Sequence, residues 1–189
     1  ELDKGRVDAS LGLCMDAKVF CTELLKQVAK PASCPEWITE TAQWVKEFPS
    51  YDRSVQSKEW VNPYLYFDYL GRMAPKDALV IADCGGNLTW AVQGFAPTGQ
   101  QRLVSAMGNS PMGYAFPAAI GAHFGAPGKP LYCVIGDGGL QINLQEFQTI
   151  VHYKIPMKLM ILNNRGYGII KQFQDLYLDG RHIATGEGY

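Results

Sequence analysis

A doubly wound α/β domain, with a parallel sheet and helices on both faces, is the fold class that the sequence predicts. Three observations carry it. Short, nearly continuous apolar runs at 79–82, 131–135 and 157–162 have the length of strands, and runs apolar throughout belong to strands buried on both faces. Stretches with helical spacing separate them, an alternation that builds parallel sheets. Clusters of glycine, aspartate and asparagine directly follow two of the runs, at the strand ends where open parallel sheets bind ligands.

Taken in order, Val7 to Leu13 reads as a short strand or strand edge. Val19, Phe20, Leu24, Leu25 and Val28 fall at helical spacing over 17–30, and Pro31 and Pro35 break the pattern. A second short helix is expected over 37–48, closed by Pro49. This opening stretch has too little apolar sequence to be a domain of its own. Residues 1–30 are read as the tail of a preceding domain, 31–57 as a linker, and 58–189 as the C-terminal domain. A helix over 63–73 has Asn62 as its cap and Pro63 at its first position. After the strand at 79–82 come a short helix over 88–94 and an alanine-rich helix over 114–124, with Pro117 in or near its first turn. The strand at 131–135, a crossover helix over 142–152 and the strand at 157–162 follow. A last helix starts near Tyr167 and runs to 176.

Composition excludes several classes of function. The 189 residues carry a formal net charge of -1, without the basic stripe that nucleic-acid binding needs. No apolar run is long enough to span a bilayer, and Glu1-Leu2-Asp3-Lys4 is no signal peptide. Five cysteines without a CxxC pair read as reduced thiols of a cytoplasmic protein. His123, His152 and His182 are scattered, without metal-ligand spacing.

The chemistry lies in the clusters Gly136-Asp137-Gly138-Gly139 and Asn163-Asn164. One helix separates them, so their strands are expected to lie parallel and side by side or nearly so, with Asp137 beside Asn164. A carboxylate, an amide carbonyl and a backbone carbonyl are hard oxygen ligands that suit Mg²⁺ together with substrate phosphates. Gly138 and Gly139 let backbone N–H groups approach a phosphate, and a helix beginning near Gln141 points its N-terminus at the same place. Gly-Asp-Gly alone is an ordinary β-to-α turn; the combination at this spacing is far more specific.

Gly-Asp-Gly, 24 intervening residues and Asn-Asn is similar to the signature of thiamine-diphosphate enzymes, and resembles most the acetolactate synthase and pyruvate oxidase group. Asp83-Cys84-Gly85-Gly86-Asn87-Leu88-Thr89-Trp90 resembles that group's earlier diphosphate turn. The segment from Met107 to Gly121 resembles its aminopyrimidine-holding stretch, and the match continues through Ile155 to Gly168, covering roughly 58–185. Residues 1–30 resemble the end of the group's central domain. The resemblance implies Mg²⁺ on Asp137, Asn164 and the backbone carbonyl of Gly166. It implies cofactor contacts from Gly85, Gly86, Asn87, Ser110, Met112, Gly136, Gly138, Gly139 and Ile142, with Met112 under the cofactor where it props the two rings into a bent shape. Glu146, on the crossover helix, is read as structural. No catalytic residue is expected in this chain, because the group's activating glutamate sits on the N-terminal domain of a partner subunit. The implied assembly is a homodimer or homotetramer acting on pyruvate or another 2-keto acid. FAD is compatible with a parent of this group, and nothing in these residues indicates it.

Departures leave the substrate open. Phe173 stands near where acetolactate synthases usually carry a tryptophan. Ser110 and Pro111 replace a more usual glycine and threonine, and Gly86-Asn87 replaces Gln-His. Acetolactate synthase is the leading reading, another 2-keto-acid lyase or decarboxylase the second, and a non-catalytic binding module the third.

Overall fold

The computed structural model describes residues 10–28 and 33–186. The chain divides into two compact units, Glu1–Phe48 and Pro49–Tyr189. In the first, α1 (Ala17–Gln27) starts at Asp16, whose carboxylate accepts from the N–H groups of Lys18 (2.9 Å) and Val19 (3.2 Å), satisfying donors that a helix start leaves unpaired. α2 (Pro35–Glu47) opens on a proline, and its Trp37 and Trp44 meet edge to face. Neither helix buries a residue. The strand expected from Val7 lies outside the described residues up to Ala9. Residues 10–13 are bend and irregular chain; Leu11 and Leu13 are exposed, and no ladder forms on them. The last two residues of the helix expected over 17–30 also fall outside the described residues.

The second unit opens on α3 (Pro63–Met73). Asn62 caps it, Oδ1 accepting from Tyr64 N–H (3.0 Å) and Leu65 N–H (3.4 Å). Tyr51 stacks on Tyr64, and Arg53 and Arg72 both pair with the buried Asp68.

Four strands follow: β1 (Leu79–Ala82), β2 (Arg102–Val104), β3 (Leu131–Gly136) and β4 (Met157–Leu162). They pair in parallel in the order β2-β1-β3-β4. Their alternation divides the core in two. Leu79, Ile81, Leu131, Cys133 and Ile135 pack against Phe116, Ala119 and Ile120 of α5 (Ala115–Gly125). Val80, Ala82, Tyr132 and Val134 face the other side, in one cluster with Phe67 and Leu70 of α3 and Ala91 of α4 (Gly86–Gly94). Burial on both faces is why β1 and β3 read as unbroken apolar runs, whereas β4, at the sheet edge and carrying Lys158, is only partly buried, short of the two-faced burial its apolar run predicts. From β1 the chain moves to one side to form β2, then returns to the other side for β3. The gap beyond the ends of β1 and β3 is therefore a topological switch point, where open parallel sheets bind ligands.

Three elements depart from the sequence reading. β2 has only three residues and lies at the sheet edge, too short for an apolar run to announce. α4 begins at Gly86, two residues before its apolar spacing starts. The crossover is not one helix: α6 (Asp137–Gln141) begins at the aspartate itself, a short 3₁₀ turn covers Leu144–Glu146, and α7 (Phe147–Tyr153) follows. The break falls at Asn143, whose backbone leaves the helical region (φ -128°, ψ 31°) and whose side chain is committed elsewhere. α8 (Gly168–Tyr177) is the last helix among the described residues, followed by irregular chain to residue 186.

Candidate functional site

A cleft of about 570 Å³ opens at the switch point, within the range of small-molecule sites. Gly85, Gly86 and Asn87 line it from the end of β1, Gly136, Asp137, Gly138 and Gly139 from the end of β3, Asn164 and Gly166 from the end of β4, and Ser110 and Met112 from the segment before α5. All of these are residues that the sequence singled out. Ile142 is not among the lining; its side chain is half exposed, beside Gly113. Glu146 also lies outside the cleft and accepts from the Thr149 hydroxyl (2.9 Å).

β3 and β4 pair directly, with Gly136 opposite Leu162, so the residues just beyond them converge. The Asn164 N–H lies 3.4 Å from Asp137 Oδ1. One terminal atom of the Asn164 side-chain amide is 2.6 Å from the Gly166 carbonyl oxygen and 3.2 Å from Asp137 Oδ1. With the amide nitrogen there, it donates to both oxygens. With the amide oxygen there, three oxygens crowd a single point, which only a cation makes favourable. Adjacent oxygens on octahedral Mg²⁺ lie about 2.9 Å apart, given ligand distances near 2.0–2.1 Å. The donor set therefore fits a small hard cation. No cluster of three acidic, histidine or cysteine side chains occurs among the described residues; of the three groups that meet here, the Asp137 carboxylate alone carries a formal charge.

The glycines form a cradle without spare room. A Cβ on Gly86 would lie 2.6 Å from the Trp90 ring, one on Gly138 would run into the Tyr167 ring, and one on Gly139 would strike Asp83 Oδ2. Gly85 has φ +66°, a conformation that side chains resist. Gly138 and Gly139 sit in the first turn of α6, where N–H groups have no intrahelical partner. Asn87 is buried; its Nδ2 donates to the Cys84 carbonyl (3.3 Å) and its Oδ1 has no partner within the protein. A glycine cradle at a helix start fits an anionic diphosphate, while the orphaned Asn87 oxygen, an acceptor, fits a cation or a hydrogen-bond donor.

Sequence reasoning missed the residue that ties the cleft together. Asp83, at the end of β1 and 1% exposed, accepts from the N–H groups of Gly113 (3.1 Å) and Ala115 (3.0 Å). From the other side, Asn143 Nδ2 donates to the Gly113 carbonyl (3.0 Å). Gly113 itself has φ +80°. The stretch that carries Met112 is thus pinned at both ends of one peptide residue. Ser110, two residues earlier, holds a left-handed conformation (φ 39°, ψ 48°), which glycine adopts more readily. Burial pushes the Asp83 carboxyl above the usual carboxylate range, while the Ala115 and Gly113 N–H groups pull it back. Burial and the Asp83 charge push the Cys84 thiol up to about 11, so it stays protonated and unreactive at neutral pH. The one available signal for Asp83 was a charged residue directly ending a fully apolar strand. Replacing Asn143 with alanine leaves the Gly113 carbonyl without its donor and is expected to cost about 1–2 kcal/mol, measurable as a lower urea midpoint at unchanged slope.

Residues 83–188 match the family described as thiamine pyrophosphate enzyme, C-terminal TPP binding domain. Several acetolactate synthase large subunits are similar along nearly the whole chain. That of Porphyra purpurea is 31% identical, with 100% of this chain and 32% of that protein covered. That of Cyanidium caldarium is 30% identical, covering 98% and 32%. The isozyme 3 large subunit of Escherichia coli (strain K12) is 29% identical, covering 95% and 32%. The chain spans about a third of the length of these curated relatives. With the family match covering more than half of the chain, and with its cleft at the ends of β1, β3 and β4, the chain belongs to the thiamine pyrophosphate enzymes, as their C-terminal TPP binding domain.

Proposed function

We propose that the cleft binds Mg²⁺–thiamine diphosphate and that this chain works as the C-terminal part of an acetolactate-synthase-like enzyme. The observation that carries the reading is the meeting of the Asp137 carboxylate, the Asn164 side-chain amide and the Gly166 carbonyl beside the glycine cradle. Asp137 and Asn164 hold the cation through their side chains and Gly166 through its carbonyl. The N–H groups of Gly138, Gly139, Gly86 and Asn87 receive the diphosphate. Met112 supports the rings from below, with its N–H and the Ser110 carbonyl holding the pyrimidine. When bound, thiamine diphosphate supplies a carbon nucleophile and an electron sink for decarboxylating a 2-keto acid. This chain's part is to orient that group and neutralise its diphosphate. The activating glutamate comes from the N-terminal domain of a partner subunit, in a cytoplasmic homodimer or homotetramer.

Pyruvate is the proposed donor, and a second 2-keto acid the acceptor. The second reading, another 2-keto-acid lyase or decarboxylase, draws on Phe173 near the position where acetolactate synthases usually carry a tryptophan. Incubating the full polypeptide with pyruvate, Mg²⁺ and thiamine diphosphate tests both. Release of CO₂ together with acetolactate is expected, and residues 1–189 alone are expected to turn over nothing. Bound cofactor without pyruvate turnover would move the assignment to the second reading. Turnover by residues 1–189 alone would contradict the shared-site account.

A further inference from the structure

The Gly166 carbonyl and the Tyr167 N–H belong to one peptide unit, which is planar and trans, so the two point in opposite directions. Fixing one aims the other. The Tyr167 N–H donates to the Thr185 carbonyl (3.1 Å), which leaves the Gly166 carbonyl directed to the Asn164 side, 2.6 Å from its amide. Thr185 is itself anchored: its hydroxyl donates to Gln174 Oε1 (2.7 Å), and both residues are buried, at 5% and 9% exposure. The backbone carbonyl of Gln174 also receives the N–H groups of Leu178 and Gly180 (3.0 Å each), so α8 and the turn after it share one fastening point. Gly166 is fitted to this contact, since a Cβ there would sit 2.6 Å from the Thr185 oxygen. Arg165 and Ala184, next to the two halves of the contact, both hold left-handed backbone (φ 58° and 52°). Such strain persists only where the surroundings over-determine it.

We propose that Thr185, held by Gln174, is a positioning residue for the cation: through the Gly166–Tyr167 peptide plane it sets the direction of the Gly166 carbonyl. The inference rests on the proposed Mg²⁺ site and adds residues that touch neither metal nor cofactor. Groups that orient a ligand from behind typically change metal affinity about 10- to 100-fold when removed. Mg²⁺ demands near-ideal octahedral geometry, whereas Ca²⁺ tolerates irregular oxygen shells, so a misdirected carbonyl penalises Mg²⁺ more.

The test uses the full polypeptide. Thr185→Val keeps the shape and removes the hydroxyl; Thr185→Ser restores it; Asp137→Ala reports on the site itself. Cation affinity is read for Mg²⁺ and Ca²⁺ with thiamine diphosphate saturating, and Tyr167 amide exchange is read without metal or cofactor. The expected result for Thr185→Val is Mg²⁺ affinity lower by about 10-fold or more, a smaller change for Ca²⁺, and faster Tyr167 exchange, with Thr185→Ser close to wild type. Three results overturn the proposal: unchanged Mg²⁺ affinity in Thr185→Val, equal losses for both ions, or failure of serine to rescue. Cation binding undiminished in Asp137→Ala would instead remove the site on which the proposal rests, and the proposal would fall with it.

Discussion

Asp137→Ala is expected to lower thiamine diphosphate affinity in the presence of Mg²⁺ by about a thousandfold, equivalent to ~4 kcal/mol. Of the three groups that meet at the ends of β3 and β4, the Asp137 carboxylate, the Asn164 amide and the Gly166 carbonyl, only the carboxylate is charged. Mg²⁺ gives up its water reluctantly, and an amide and a peptide carbonyl offer too little to compensate. Asp137→Asn separates charge from shape, because it keeps an oxygen in place and is expected to lose most of the affinity as well. Stability should barely change in either variant, since the side chain is only half buried at the cleft wall and fills no core. Isothermal titration beside a urea melt checks both halves. An alanine variant that binds the cofactor normally would show that the cation sits elsewhere.

Gly139→Ala is expected to be the most damaging single change to the fold around the cleft, costing about 3 kcal/mol. The new methyl would meet Asp83 Oδ2 and crowd Ile135. Neither neighbour can retreat: Ile135 is fully buried in the sheet core, and Asp83 is held by two backbone N–H groups. Displacing the carboxylate would also strand those donors, each a buried group that costs about 1–3 kcal/mol when unpaired. The cause can be isolated with a double-mutant cycle. In an Asp83→Ala background the clash is gone, so the second substitution should cost far less than in the wild type. Additive losses would mean that the methyl acts through another contact. The raised Asp83 carboxyl also has a pH signature. Between the usual carboxylate value of about 4 and the raised folded value, the folded chain holds a proton that the unfolded chain has released. This group's contribution therefore favours the fold at the acid side of that window and is lost as pH rises through it. Asp83→Asn should flatten that slope.

What the sequence revealed depended on how local the signal was. The strands buried on both faces announced themselves because every residue of β1, and all but the last of β3, is apolar. The Asn62 cap with Pro63 fixed the start of α3 within three residues of chain. Gly-Asp-Gly and Asn-Asn were legible because each directly follows a strand, and parallel pairing of β3 with β4 brings them together without further information. Long-range arrangement was not legible in this way. Asp83 serves residues thirty positions away, so no local pattern marks it as the anchor of the Met112 segment. Asn143 breaks the crossover where apolar spacing runs on undisturbed, because its side chain answers a carbonyl on a different loop. β2 exists as an edge partner of β1, a property of the sheet rather than of its three residues. The contact between Thr185 and the Gly166–Tyr167 peptide is of the same kind.

The central claim is that this cleft holds thiamine diphosphate through a divalent cation. Equilibrium binding of thiamine diphosphate to the full polypeptide, with Mg²⁺ and then with excess chelator, tests it most directly. Trp90, in the cleft wall, offers a fluorescence signal for the titration. The account predicts saturable binding of one cofactor per chain in Mg²⁺, loss of that binding on chelation, and recovery when Mg²⁺ is returned. Binding that survives chelation, or no binding in Mg²⁺ at all, would contradict it.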